Sequence, residues 1–149
     1  MTELDLTEIQ IGKLTVPMKH LIQSCMNIQV LSMAECDLTS LENFPKLDKL
    51  VELDVSSNSL TDSDMKTIAT QCPHIISLSI GDNNIKCVNS IEHLKPLKEL
   101  EVLNCDDNPV ANEPTYAKAA FKTFPKLRYL DSKDKEGKEV IFDHMNEDD

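Results

Sequence analysis

A chain of 149 residues is one domain's worth, and with 40 % hydrophobic residues it can bury a real core. Its 26 acidic against 15 basic side chains leave a formal charge of −11, which disfavours nucleic-acid backbones and anionic membranes as partners and favours basic ones. The five cysteines are an odd number without C-x-x-C spacing, and no apolar run reaches the length of a membrane span. The expectation is therefore a soluble intracellular chain with reduced thiols rather than a disulfide scaffold or zinc protein.

Along the chain one template returns: L-x-x-L-x-L-x-x-N-x-L, with other aliphatics in place of Leu. A first copy is read at Leu6, Ile9, Ile11, Leu14 and Val16, with Leu14 in the Asn slot, followed by a short helix in "PMKHLIQSCM" on Pro17. Ile28, Leu31, Met33, Cys36 and Leu38 form the second copy, with Cys in the polar slot. The third is Leu50, Leu53, Val55, Asn58 and Leu60. "TDSDMKTIATQCP" then reads as a helix capped by Asp62 or Ser63, with Met65, Ile68, Ala69 and Cys72 on one face, stopping before Pro73. Ile75, Leu78, Ile80, Asn83 and Ile85 are the fourth copy, and "NSIEHLKP" is one helical turn capped by Ser90 and stopped by Pro96. After the fifth copy (Leu100, Leu103, Cys105, Asn108, Val110), "EPTYAKAAFKTFP" predicts a helix with Pro114 in its first turn, ending ahead of Pro125. In "EVIFD", Val140, Ile141 and Phe142 are expected to pack back on the cap, with disorder beyond His144.

Copies beginning near 6, 28, 50, 75 and 100 have the period of leucine-rich repeats. The expected fold is α/β: a right-handed leucine-rich-repeat solenoid with a parallel concave sheet of five to six short strands. Short helices or 3-10 turns occupy the convex side, and a C-terminal cap closes it. The domain is placed at 1–142, with the cap at 112–142 and the start of an acidic tail at 143–149. The Asn of each copy falls where an inward residue is due. After each strand the turn leaves main-chain groups unpaired, and a carboxamide offers two donors and an acceptor. Asn58, Asn83 and Asn108 should form a ladder of this kind.

Strand alternation sends the residues between the aliphatic anchors to the concave face. These positions hold eight carboxylates (Glu8, Glu35, Glu52, Asp54, Asp82, Asp106, Asp107, Asp131) against Lys13, together with Gln10, Gly12, Ser32, Ser56, Ser77, Ser79, Asn104 and Tyr129. Glu35, Glu52, Asp54, Ser56, Ser77, Ser79, Asp82, Asn104, Asp106, Asp107, Tyr129 and Asp131 form the candidate partner-binding set. Such a face suits a basic protein segment, approached through a salt-sensitive field. Nothing reads as a catalytic or metal motif: His20, His74, His93 and His144 lack ligand spacing, and Asp106 and Asp107 diverge at a strand end. No enzyme activity, metal or cofactor is expected, nor direct RNA binding with Arg128 as the single arginine.

"YAKAAFKTFPKLRYLD", residues 116–131, resembles the cap that closes several nuclear leucine-rich-repeat proteins. With "VLSMAECDLTSLENFPKLDKLVELDVSSNSL" and "QCPHIISLSIGDNNI", the chain looks like the acidic leucine-rich nuclear phosphoprotein family. It departs from that family in showing no N-terminal helical cap before Leu6 and only "NEDD" of its acidic tail. The resemblance implies a nuclear monomer, shuttling to the cytoplasm, that binds histones. It also implies action as a histone chaperone and acetyltransferase-inhibiting factor, and inhibition of a serine/threonine protein phosphatase. The alternative is a spliceosomal ribonucleoprotein-type scaffold holding an RNA-binding partner protein on the concave face. That role needs an apolar patch, for which Val30, Val102 and Tyr129 are the candidates.

Overall fold

An aliphatic residue flanked by polar ones is the unit from which the sheet is made. The computed structural model describes residues 2–25 and 27–140. It contains strands β1 (Glu3–Asp5), β2 (Val30–Ser32), β3 (Glu52–Asp54), β4 (Ser77–Ser79), β5 (Val102–Asn104) and β6 (Tyr129–Leu130). They form one six-stranded sheet in sequential order, every neighbouring pair parallel. The register aligns Leu4, Leu31, Leu53, Leu78, Leu103 and Leu130 in one row. Period-two alternation then sends that row inward and its neighbours outward.

Parallel strands need crossovers. These carry helices α1 (Val16–Gln23), α2 (Asp64–Gln71), α3 (Val88–Glu92) and α4 (Tyr116–Thr123), with a 3-10 turn at Pro109–Asn112. Their apolar stripes (Ile22; Met65, Ile68 and Ala69; Ile91; Tyr116 and Ala120) join the strand leucines in one continuous core. Each aliphatic side chain so buried contributes roughly 1.5–3 kcal/mol, but only against the coils beside it. The solenoid expected from the repeat is thus present, capped by α4 and β6.

Several local expectations are corrected. Ser63 is the N-cap of α2, as the sequence suggested, but neither it nor Asp62 caps the helix through its side chain. Asp64 closes that turn from inside the helix, its Oδ2 accepting from Thr61 N at 2.9 Å while Oδ1 accepts from Leu41 N of the preceding coil at 3.0 Å. Asp62 instead caps α3 one coil later, accepting from Lys86 N (3.0 Å), Cys87 N (2.8 Å) and the Ser90 hydroxyl. Ser90 therefore lies inside α3 rather than at its cap. Pro114 precedes α4, whose N-cap is Thr115.

The first copy is displaced. Leu4 pairs with Leu31, so Leu4, Leu6, Ile9 and Ile11 take the places of Leu31, Met33, Cys36 and Leu38. The template overlaps itself when slid by five residues, and Leu6, Ile9, Ile11, Leu14 and Val16 fit it only in that shifted phase. Leu14 is a core residue ahead of α1. At the far end Val140 N donates to Ser132 O at 2.8 Å, and Lys133 bridges Glu139. Ile141, Phe142 and the expected tail from 143 lie outside the described residues.

Candidate protein-binding face

The asparagine ladder positions the turns that follow the strands. Asn58 Oδ1 accepts from Cys36 N and Leu38 N, both at 3.0 Å, and Nδ2 donates to Met33 O (3.0 Å) and Val55 O (2.9 Å). Asn83 repeats the pattern with Leu60 N (3.0 Å), Val55 O (3.1 Å) and Ile80 O (3.0 Å). Asn108 does so with Ile85 N (3.0 Å), Ile80 O (2.9 Å) and Cys105 O (3.1 Å). Each carboxamide satisfies its own turn and reaches back into the preceding one. Cys36 manages part of this, its Sγ donating to Leu6 O at 3.0 Å.

Cross-strand register sorts the outward residues into rows. The first contains Glu3, Val30, Glu52, Ser77, Val102 and Tyr129, and the second Asp5, Ser32, Asp54, Ser79 and Asn104. Second-row side chains also fold the chain out of the strand. Asp5 Oδ1 accepts from Thr7 N (3.0 Å), Asp54 Oδ1 from Ser56 N (2.9 Å) and Ser56 Oγ (2.6 Å), and Asn104 Oδ1 from Asp106 N (2.9 Å). The bonds from Thr7 hold the Asp5 carboxyl below its usual range. Two residues past the second row lie Thr7, Ala34, Ser56, Gly81 and Asp106. The fit is tight at Gly81, where a Cβ would stand 3.3 Å from Asp106 O and 3.4 Å from Asn104 Oδ1.

A lip follows the sheet. Glu8, Glu35, Ser57, Asp82 and Asp107 occupy the same place in successive coils, each immediately before the ladder slot. All five have positive φ, between 52° and 68°. The left-handed turn lifts these side chains off the core, and the four acids among them are exposed. Glu3, Glu52 and Asp106 are exposed as well, whereas Asp54, Ser56, Ser77, Ser79, Asn104 and Tyr129 are half-buried. The strand and lip positions from β1 to β5 contain no Lys or Arg.

Asp131 departs from this arrangement. β6 ends in a turn: the Asp131 N–H still donates across the ladder to Leu103 O at 2.9 Å, while the Leu130 N–H, on the opposite edge, donates to Lys133 O. The Asp131 carboxylate turns inward to replace the missing acceptor, taking Cys105 N at 2.6 Å through Oδ1 and the Tyr116 hydroxyl at 2.9 Å through Oδ2. Burial raises its pKa, against the lowering effect of those bonds. It also pushes up the Tyr116 hydroxyl and the Cys105 thiol. Asp131 is thus a structural acid of the cap, while Tyr129, in the outer row, has Arg128 over its ring at 5.3 Å. Glu3 and Asp5 are outward acids that the displaced first copy concealed; the spacing Leu4, Leu6, Ile9, Ile11 was the signal for them. Gln10, Gly12 and Lys13 belong to the connection into α1, not to the sheet face.

Comparison with known proteins follows this geometry. The chain is 35% identical over 124 residues to an acidic leucine-rich nuclear phosphoprotein 32-related protein of Plasmodium falciparum, a match covering 83% of this chain and 44% of that one. It therefore spans less than half the length of that relative. Among solved structures it is similar to a chain of the SNF/U2A' complex of Drosophila melanogaster, with 25% identity, a TM-score of 0.73, and coverage of 89% and 73% of the two chains. The Mex67 LRR domain of Chaetomium thermophilum shares the fold at 22% identity and a TM-score of 0.57, covering 89% of this chain and 82% of that one. A leucine-rich repeat family model matches residues 2–142, and with the period, the ladder and the stacked parallel strands in agreement, the chain belongs to the leucine-rich repeat family.

Proposed function

We propose that the concave face is a docking surface for basic protein segments, histones being the leading candidates, and that the protein acts in the nucleus without catalysing a reaction. The observation that carries this reading is the gathering of Glu3, Asp5, Glu52, Asp54 and the lip acids Glu8, Glu35, Asp82 and Asp107 along one side of the sheet, with no basic side chain between them. Carboxylates fixed on a rigid sheet repel one another, and a basic ligand relieves that repulsion while its approach is accelerated by the field. The relative described as an acidic nuclear phosphoprotein supports the nuclear assignment. Phosphatase inhibition, acetyltransferase inhibition and shuttling belong to the same reading by resemblance.

A second reading has its own observation. The charge is concentrated over β1 to β3 and the lip, whereas the outward residues of β4 to β6 are Ser77, Ser79, Val102, Asn104 and Tyr129. An uncharged floor with Val102 and Tyr129 suits a folded partner, and the likeness to a chain of the SNF/U2A' complex supports a scaffold for an RNA-binding protein.

Calorimetric titration of core histones and a lysine-rich control peptide at two salt concentrations tests the first reading. Binding is expected to weaken with salt and to weaken further in the variant carrying Asp54→Asn, Asp82→Asn and Asp106→Asn. These changes keep the Asp54 Oδ1 acceptor, so the turn at Ser56 survives. Equal affinity in wild type and variant would remove the concave face from the account.

A further inference from the structure

The two ends of the solenoid are finished differently. At the C-terminal end β6, α4 and the Asp131 carboxylate close the sheet. At the N-terminal end β1 has a neighbour on one side only. Val30 N donates to Thr2 O (3.0 Å) and Leu6 N to Ser32 O (2.8 Å), so Thr2, Leu4 and Leu6 direct their main-chain groups toward β2. Because alternate residues of a parallel strand address opposite edges, the N–H and C=O of Glu3 and Asp5 point outward. No strand among the described residues lies on that side of β1.

The side chains of this coil are equally unusual. The exposed large hydrophobic residues among those described are Ile9 (51 %), Val16 (51 %) and Leu21 (70 %), all in this first coil. Ile9 occupies the ladder slot. In later coils that slot reaches toward the coil before it, through Asn58, Asn83, Asn108 or the Cys36 thiol. An isoleucine satisfies no turn, so where later coils place ladder bonds this slot offers apolar contact, beside an open strand edge. A second copy pairing through β1 would set Glu3 and Asp5 against the same acids, which destabilises cross-strand pairing.

We propose that β1 is a strand-addition site. It takes an extended segment of a partner protein whose side chains alternate basic and apolar. The basic ones lie beside Glu3 and Asp5 on the sheet's outer face, and the apolar ones beside Leu4, Leu6 and Ile9. This does not depend on what the centre of the concave face binds.

The test uses a capped peptide of alternating Lys and Val, read by NMR on the isotope-labelled protein. Saturation is expected to slow hydrogen exchange at the Glu3 and Asp5 amides at least about tenfold, with shift changes centred on residues 3–9. Of two versions N-methylated at odd or at even positions, one should bind at least about tenfold more weakly and the other retain affinity. Glu3→Pro removes an outward N–H without touching the bonds to β2 and should weaken binding similarly. Asp82→Asn and Asp106→Asn should change it less than about twofold. The proposal is overturned if both methylated peptides bind alike, if the shifts centre on β3 to β5, if no binding occurs, or if sedimentation shows β1 occupied by a second copy.

Discussion

Asn108 illustrates what a single residue does in this fold. It is buried, and its carboxamide holds groups of two coils at once. Asn108→Ala strands those groups and is expected to cost about 1–3 kcal/mol in urea unfolding, and Asn108→Asp costs at least as much, because a buried carboxylate oxygen then faces the Ile80 and Cys105 carbonyls to which Nδ2 donated. The lip residues make a different prediction. Glu35 holds φ at 55°, a conformation that suits glycine and strains branched side chains. Glu35→Val should therefore destabilise by about 1–2 kcal/mol, while Glu35→Gly leaves stability unchanged or slightly raised. The ladder was legible in the sequence because the template fixes the slot. The inward turn of Asp131 was not, because alternation gives a side chain's face only while the strand continues, and β6 ends at Leu130.

Between elements, the stabilising contacts run from coil to coil, and this is why helix caps were misread. A cap is sought within a few residues of its helix, but Asp62 caps a helix that begins at Val88. Asp62→Ala should cost about 0.5–2 kcal/mol through the loss of that cap. Asp62 and Asp131 respond to pH with opposite signs. Burial pushes the Asp62 pKa up, but hydrogen bonds from Ser90, Lys86 and Cys87 outweigh it and hold the group below 3.8. Its stabilisation is present above 3.8 and is lost as pH falls through the lower folded value. Burial holds Asp131 above 3.8, so its contribution is full below 3.8 and is lost as pH rises through the raised folded value. Unfolding free energy measured across the acid range should therefore lose part of its acid-side fall in Asp62→Asn. Asp131→Asn should lose part of the decline toward neutral pH. Asp131→Ala, which also abandons Cys105 N and the Tyr116 hydroxyl, should cost about 1–3 kcal/mol at any pH.

For the whole molecule, the net charge of −11 is less important than its distribution. The repeat period gave the architecture because each coil carries the same aliphatic spacing. The acidic face followed from alternation wherever the phase was right, and failed at the first coil, where the aliphatic run accommodates two phases. Repulsion among these carboxylates should make the protein more stable as sodium chloride is added, with the melting temperature rising most below about 0.1 M, where screening is weak. The account stands most directly on where a basic ligand sits. Amide shifts mapped during titration with a lysine-rich histone tail peptide should centre on Glu35, Glu52, Asp54, Asp82 and Asp107 and fade with salt. Shifts centred instead on α2, α3 or α4, or indifferent to salt, would contradict it.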